Sequence, residues 1–171
     1  MTWRPAHRVI GFMDAPDLTA AEHRILSNIE THGWHSLHVF DPELEKPNFT
    51  YSIGFSHTLN APEFIVFGLH RDIMHGMLWE VFRQIKAGRK VDGDQQWQGL
   101  LEDHDCVGKK AGNAKLFTDY VPYADWYWQR LGNRGHPGVI QLVWPGDLDG
   151  LYPWDDDCAE SVIDAQPQLW V

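Results

Sequence analysis

The sequence predicts an α+β domain: a mixed, mostly antiparallel sheet of about five or six strands with about three helices packed on it. Three observations carry that expectation. Two apolar runs, Glu63–Leu69 and Val139–Trp144, are nearly unbroken, as strands covered on both faces are. Phe49–Ser56 precedes the first run across a tight connection holding Asn60 and Pro62, so the two read as a strand pair at or next to the centre of the sheet. Three further stretches repeat their apolar residues at helical spacing. At 171 residues the chain suits a single domain, 1–171, whose core requires neither metal nor disulfide.

Taken in order, residues 1–17 read as an extended leader that packs Trp3, Val9, Ile10 and Phe12 onto the domain. Leu18–His32 is the first helix. Thr19 followed by Glu22 forms a capping box, Ala21, Ile25, Leu26 and Ile29 share one face, and Gly33 stops it. Trp34–Phe40 alternates as a strand, with Ser36 and His38 on one side and His35 and Leu37 on the other. Asp41–Asn48, with two prolines and alternating charges, is a surface connection into the strand pair.

Asp72 is placed to cap the second helix, which runs to about Ala87 with Met74, Met77, Leu78, Val81, Phe82 and Ile85 inward. His75 and Trp79 stand four apart on a flanking stripe, so they touch and face a cleft. Trp97–Leu101 and Cys106–Lys110 read as short strands. Pro122 opens a third helix that ends at Gly132, with Tyr123, Trp126, Tyr127, Arg130 and Leu131 on one face. Val139–Trp144 is the second central strand, and an acidic turn and an irregular tail follow it.

Three segments resemble a known pattern. YSIGF (Tyr51–Phe55) followed by APEFIVFGL (Ala61–Leu69), then QLVWP (Gln141–Pro145) with LYPW (Leu151–Trp154), then QPQL (Gln166–Leu169), occur in that order. They are similar to the domain-of-unknown-function family numbered 4262, over a core of about Leu18–Leu169. Ser52 and Phe55 depart from the usual Thr and Leu, and the turn before Gly150 is longer by two. The resemblance implies a compact bacterial α+β domain and brings no established activity.

The formal charge of −10 opposes binding to a phosphate backbone, and basic residues never exceed pairs such as Arg89-Lys90. Anionic membranes are disfavoured for the same reason. The ten histidines cancel most of that charge on acidification to about pH 5. Cys106 and Cys158 are too few for a secreted disulfide framework and read as reduced thiols. With no signal-peptide core at the N-terminus, the expectation is a cytoplasmic protein.

Four constellations are candidates for function. His57, Glu63 and His70 surround the strand pair, and an imidazole beside a carboxylate is a general acid–base pair. The structural alternative is that Glu63 accepts backbone N–H groups and fixes the turn. His35-x-x-His38 has a metal-like spacing, but a strand points the two to opposite faces. No other zinc pattern, phosphate loop or nucleophile elbow occurs, so no metal is expected and the cofactor is left undetermined. Asp147, Asp149, Asp155, Asp156 and Asp157 lack the calcium-loop spacing.

The last constellation is aromatic. Nine tryptophans exceed the needs of a core this size, so some line a cleft or an interface. Tyr51, Trp144, Tyr152 and Trp154 carry the resemblance, and Pro145 and Pro153 stiffen the backbone beside two of them. With His70 they form the candidate ligand-binding set. The reading is a non-enzymatic module for a small molecule or a protein, with an aromatic-lined pocket. The alternatives are a hydrolase using His57 and Glu63, an acidic immunity-type inhibitor of a basic protein, or a flavin-binding split barrel; a homo-oligomer stays open.

Overall fold

The computed structural model describes residues 17–113 and 115–171. Six strands form one mixed sheet: β1 (His35–Val39), β2 (Phe49–Ile53), β3 (Glu63–Phe67), β4 (Gln95–Trp97), β5 (Cys106–Lys110) and β6 (Val139–Val143). Their spatial order is β1-β2-β3-β6-β5-β4. Only β3 and β6 run parallel, with Ile65 opposite Gln141, and every other pair is antiparallel. The α+β class, the mixed sheet and the three longer helices are as the sequence predicts.

Helices α1 (Ala20–His32) and α4 (Pro122–Arg130), with a π-helical turn at Leu116–Tyr120, cover one face; α3 (Arg71–Lys86) covers the other. Because both faces are covered, β2, β3 and β6 are buried along their whole lengths, which explains the near-continuous apolar sequence of β3 and β6. Alternation then divides the core. Phe49, Tyr51, Ile53, Ile65 and Phe67 join Ile25 and Ile29 of α1. Phe64, Val66, Ile140 and Leu142 join Met74, Met77, Leu78 and Val81 of α3.

α1 is bounded as its sequence demands. Thr19 Oγ1 accepts the Glu22 N–H at 3.2 Å, and Gly33 closes the helix at φ 89°. Three local expectations need correction. The second helix is capped by His70, whose Nδ1 accepts the Asp72 N–H at 3.2 Å, while Asp72 sits in the first turn. The strand expected through Ser56 ends at Ile53. Gly54, at φ 109°, turns the chain into a four-residue helix, α2 (Phe55–Thr58), because glycine tolerates the left-handed region. The short strand expected at Trp97–Leu101 lies earlier, at Gln95–Trp97, and ends where that one was to begin. In α4 the expected face packs on the core, with Tyr127 buried and Tyr123, Trp126 and Leu131 against it. The expected leader lies, but for Asp17, outside the described residues. No helix among the described residues is long and apolar enough to cross a membrane.

The tail is fastened to β6 by paired amides. Gln141 donates to Pro167 O at 2.7 Å and accepts the Leu169 N–H at 3.0 Å. Gln166 does the same to Trp144, accepting its N–H at 3.0 Å and donating to its carbonyl at 2.9 Å. Two of the sequence segments that carry the family resemblance thus meet in space. A short helix, α5 (Glu160–Asp164), leads into this tail.

Candidate functional site

Glu63 begins β3 and is 1 % exposed. Its carboxylate accepts five hydrogen bonds: from Ser52 Oγ at 2.6 Å, from the N–H groups of Gly54, Phe55 and Ser56 at 2.9, 3.2 and 3.1 Å, and from Ser56 Oγ at 3.1 Å. Ser52 is committed to this orientation, since its Oγ also accepts the Phe64 N–H at 2.9 Å. Burial pushes the Glu63 pKa up, against the pull of those donors. The arrangement takes up the orphan amides where β2 turns into α2. Among the described residues no hydrogen bond or ion pair joins Glu63 to His57.

His57 is exposed, and its Nδ1 lies 2.7 Å from Tyr127 Oη. Burial, then the nearby Glu63 charge, raises the Tyr127 pKa and keeps the phenol protonated. Tyr51 is buried under the same helix. Its hydroxyl lies by the Tyr123 backbone N–H and makes no hydrogen bond of ordinary geometry.

The remaining sequence-predicted residues are scattered. Trp144 is pinned by its indole N–H to Phe67 O at 2.7 Å, tying β6 to β3. Tyr152 donates to Asp105 O at 2.7 Å. It stacks on Trp154 with centroids 5.0 Å apart, and Lys109 Nζ lies 4.8 Å from the Trp154 ring centroid. Cys106 is sealed in the core, and burial pushes its thiol up to about 12, with Asp105 adding to the shift, so it is not poised as a nucleophile. Among the described residues no group of three or more His, Cys, Asp or Glu is arranged to hold a metal.

A cleft of about 680 Å³ opens elsewhere, between the edge strand β1, the C-terminal turn of α1 and the start of α3. Trp34, 4 % exposed, lies at its base. His75 and Trp79, one turn apart on α3, lie against Trp34 at 5.7 and 5.9 Å with interplanar angles of 15° and 20°. His35, His38 and Thr50 form the sheet side, Asn28 stands on α1, and Arg71 and Asp72 stand on α3. His35 Nδ1 meets Asn28 Nδ2 at 2.9 Å, and His38 Nδ1 meets Thr50 Oγ1 at 2.9 Å. Tyr51, Trp144, Tyr152 and Trp154 do not line this cleft, and His70 stands near it as the cap of α3.

Sequence reasoning singled out two of its parts separately, the His35-x-x-His38 pair and the His75–Trp79 stripe. It lacked the packing that joins them. Strand alternation puts His35 and His38 on opposite faces, yet β1 has a free edge and the cleft wraps around it.

The same geometry sets a pH dependence. Burial, then the charge of Arg24, lowers the His35 pKa from 6.5 to about 4. The folded protein therefore binds fewer protons than the unfolded chain between these values. Stability from this group is complete above pH 6.5 and is lost as pH falls toward 4. His38 shifts the same way through burial, Arg71 and His70. His35 is partly exposed, so the loss, discounted for screening, is about 1–2 kcal/mol. Urea unfolding at pH 7.5 and 4.5 checks it. H35Q loses less stability than wild type between the two, and equal losses contradict the assignment.

A family model described as Domain of unknown function (DUF4262) matches residues 28–159. No curated protein and no solved structure matches the chain.

Proposed function

The chain belongs to the DUF4262 family, and on that premise we propose that it is a non-enzymatic binding module whose ligand seat is the cleft between β1 and α3. One observation carries the reading: a cleft of about 680 Å³ in which aromatic rings and several polar groups converge. That volume lies within the range of small-ligand sites, and the two indoles stand among mostly polar neighbours, which suits a polar or charged ligand. The idea of an aromatic-lined pocket is retained, and in this reading it moves from Tyr51, Trp144, Tyr152 and Trp154 to the Trp34–Trp79 wall.

The structure gives a catalytic role for Glu63 little support, because its five acceptor contacts are occupied and it is out of reach of solvent. In this reading the partner is a small molecule and the setting a bacterial cytoplasm, where Cys106 and Cys158 stay free, as they are here.

Thermal-shift screening of metabolites tests the proposal. A ligand at a hundred times its Kd stabilises by about 2.7 kcal/mol, which raises Tm by roughly 5–10 °C for a chain of this size. At least one compound gives such a rise in wild type and none in W79A. Uniformly flat melting points count against the module.

A further inference from the structure

We propose that the ligand class of this cleft is a small planar aromatic anion, its ring stacked on His75 and Trp79 and its carboxylate or phosphate held by Arg71. This rests on the reading of the cleft as a binding seat and adds the chemistry of what sits in it.

The first support is the shape of the wall. Trp34, His75, Trp79 and Phe82 form a terrace of nearly parallel rings. Trp79 and Phe82 are 5.7 Å apart and within 6° of parallel, and Trp34 lies within about 20° of His75 and Trp79. Trp34 is buried, whereas His75 is exposed and Trp79 is 37 % exposed. Arg83 lies over the Trp79 ring at 5.6 Å, and beside it the exposed part of the stack favours a flat guest over an aliphatic one.

The second support is charge. The chain carries −10 overall, yet the lining of this cleft balances one arginine, Arg71, against one carboxylate, Asp72. Arg71 makes no hydrogen bond or ion pair among the described residues, and its field falls on His38 together with that of His70. Arg24 acts on His35 in the same way. The one carboxylate on the lining is Asp72, 88 % exposed and 3.8 Å from His70. Among the described residues Arg71 is held by no carboxylate of the cleft, and a guanidinium matches the two oxygens of a carboxylate or phosphate.

The third support is the spare donor. Asn28 donates into His35 Nδ1, so the neutral ring carries its proton on Nε2. That N–H has no protein partner among the described residues, and it is a spare donor on the β1 part of the lining.

The test pairs each aromatic acid with its neutral amide: indole-3-acetate against indole-3-acetamide, benzoate against benzamide, nicotinate against nicotinamide. Binding is followed by the histidine ring C–H resonances in NMR titrations at pH 7.5. At least one acid shifts the His35, His38 and His75 signals and binds about tenfold or more tightly than its amide, as one charge-assisted hydrogen bond provides. R71Q removes that preference and leaves the amide's affinity unchanged.

Equal affinity for acids and amides overturns the anion assignment while leaving the cleft a binding seat. An acid preference that survives R71Q overturns the role of Arg71 and with it the proposal. If none of the six binds at millimolar concentration, the proposal fails. The metabolite screen read against W79A then decides separately whether the seat itself stands.

Discussion

Replacing Glu63 with alanine lowers the free energy of unfolding by about 3–5 kcal/mol, the cost of breaking a buried charged network by removing one member. For a chain of this size that is a fall in Tm of roughly 6–20 °C. Five donors converge on the carboxylate, three of them backbone N–H groups of consecutive residues. Phe55, in the middle of the knot, is fully buried, so water has no open route to its amide. E63Q separates acceptor number from size. The glutamine fills the same volume, but its NH₂ faces donors at whichever oxygen position it takes. Gly54 and Ser56 supply them on one side, Phe55 and Ser52 on the other. E63Q therefore recovers less than half of the loss. Urea denaturation of both variants checks the argument, and an alanine cost below about 1 kcal/mol would show that the knot is not a main stabiliser of the turn.

Most of the fold was legible because its signals are local. Thr19, Glu22 and Gly33 bound α1 within one turn of each end, and the apolar runs of β3 and β6 announce strands covered on both faces. The misreadings occur where a distant group decides. Phe55 and Ser56 continue the apolar-polar alternation of β2. Their amides turn to a carboxylate seven or eight residues away, and Gly54 alone signals the bend. Asp72 has the better capping chemistry by residue type. The helix nevertheless starts at Arg71, and the cap falls to His70.

The candidate site was half legible for the same reason. His75 and Trp79 share a helix stripe, and that much is local. Trp34 beneath them belongs to the chain before β1, about forty residues earlier, and only the packing of α3 over the sheet brings the rings together. The residues of the family resemblance turn out to fasten structure to structure: Glu63 to the β2–α2 turn, and Gln141 and Trp144 to the tail. Segments that tie the fold together recur as motifs; the cleft, assembled from single residues on three elements, leaves no contiguous one.

Gly68→Ala is expected to cost about 2–4 kcal/mol, and the way that cost divides identifies what the glycine is for. Gly68 follows β3 at φ 77°, a left-handed conformation that an L side chain adopts at a cost of about 1–2 kcal/mol. A Cβ there would also stand 2.6 Å from Ala165 O and 2.8 Å from Ala165 Cβ. Neither neighbour is the flexible end of a long side chain, so the segment after α5 has to move. It cannot move freely, because Gln166 is bonded twice to Trp144, and Gln141 holds Pro167 and Leu169. Gly88 supplies the control. Its φ is 113°, and an added Cβ meets nothing within 4 Å, so G88A reports conformational strain alone. G68A therefore costs about 1–2 kcal/mol more than G88A, and hydrogen exchange locates the excess. Protection falls at Leu169, whose N–H is bound by Gln141, and at Gly112, whose N–H donates to Leu169 O, while the amides of β2 and β3 keep theirs. Equal costs for the two variants, or a loss of protection spread evenly over the sheet, would mean that Gly68 only completes a turn and that the tail does not depend on the space it leaves.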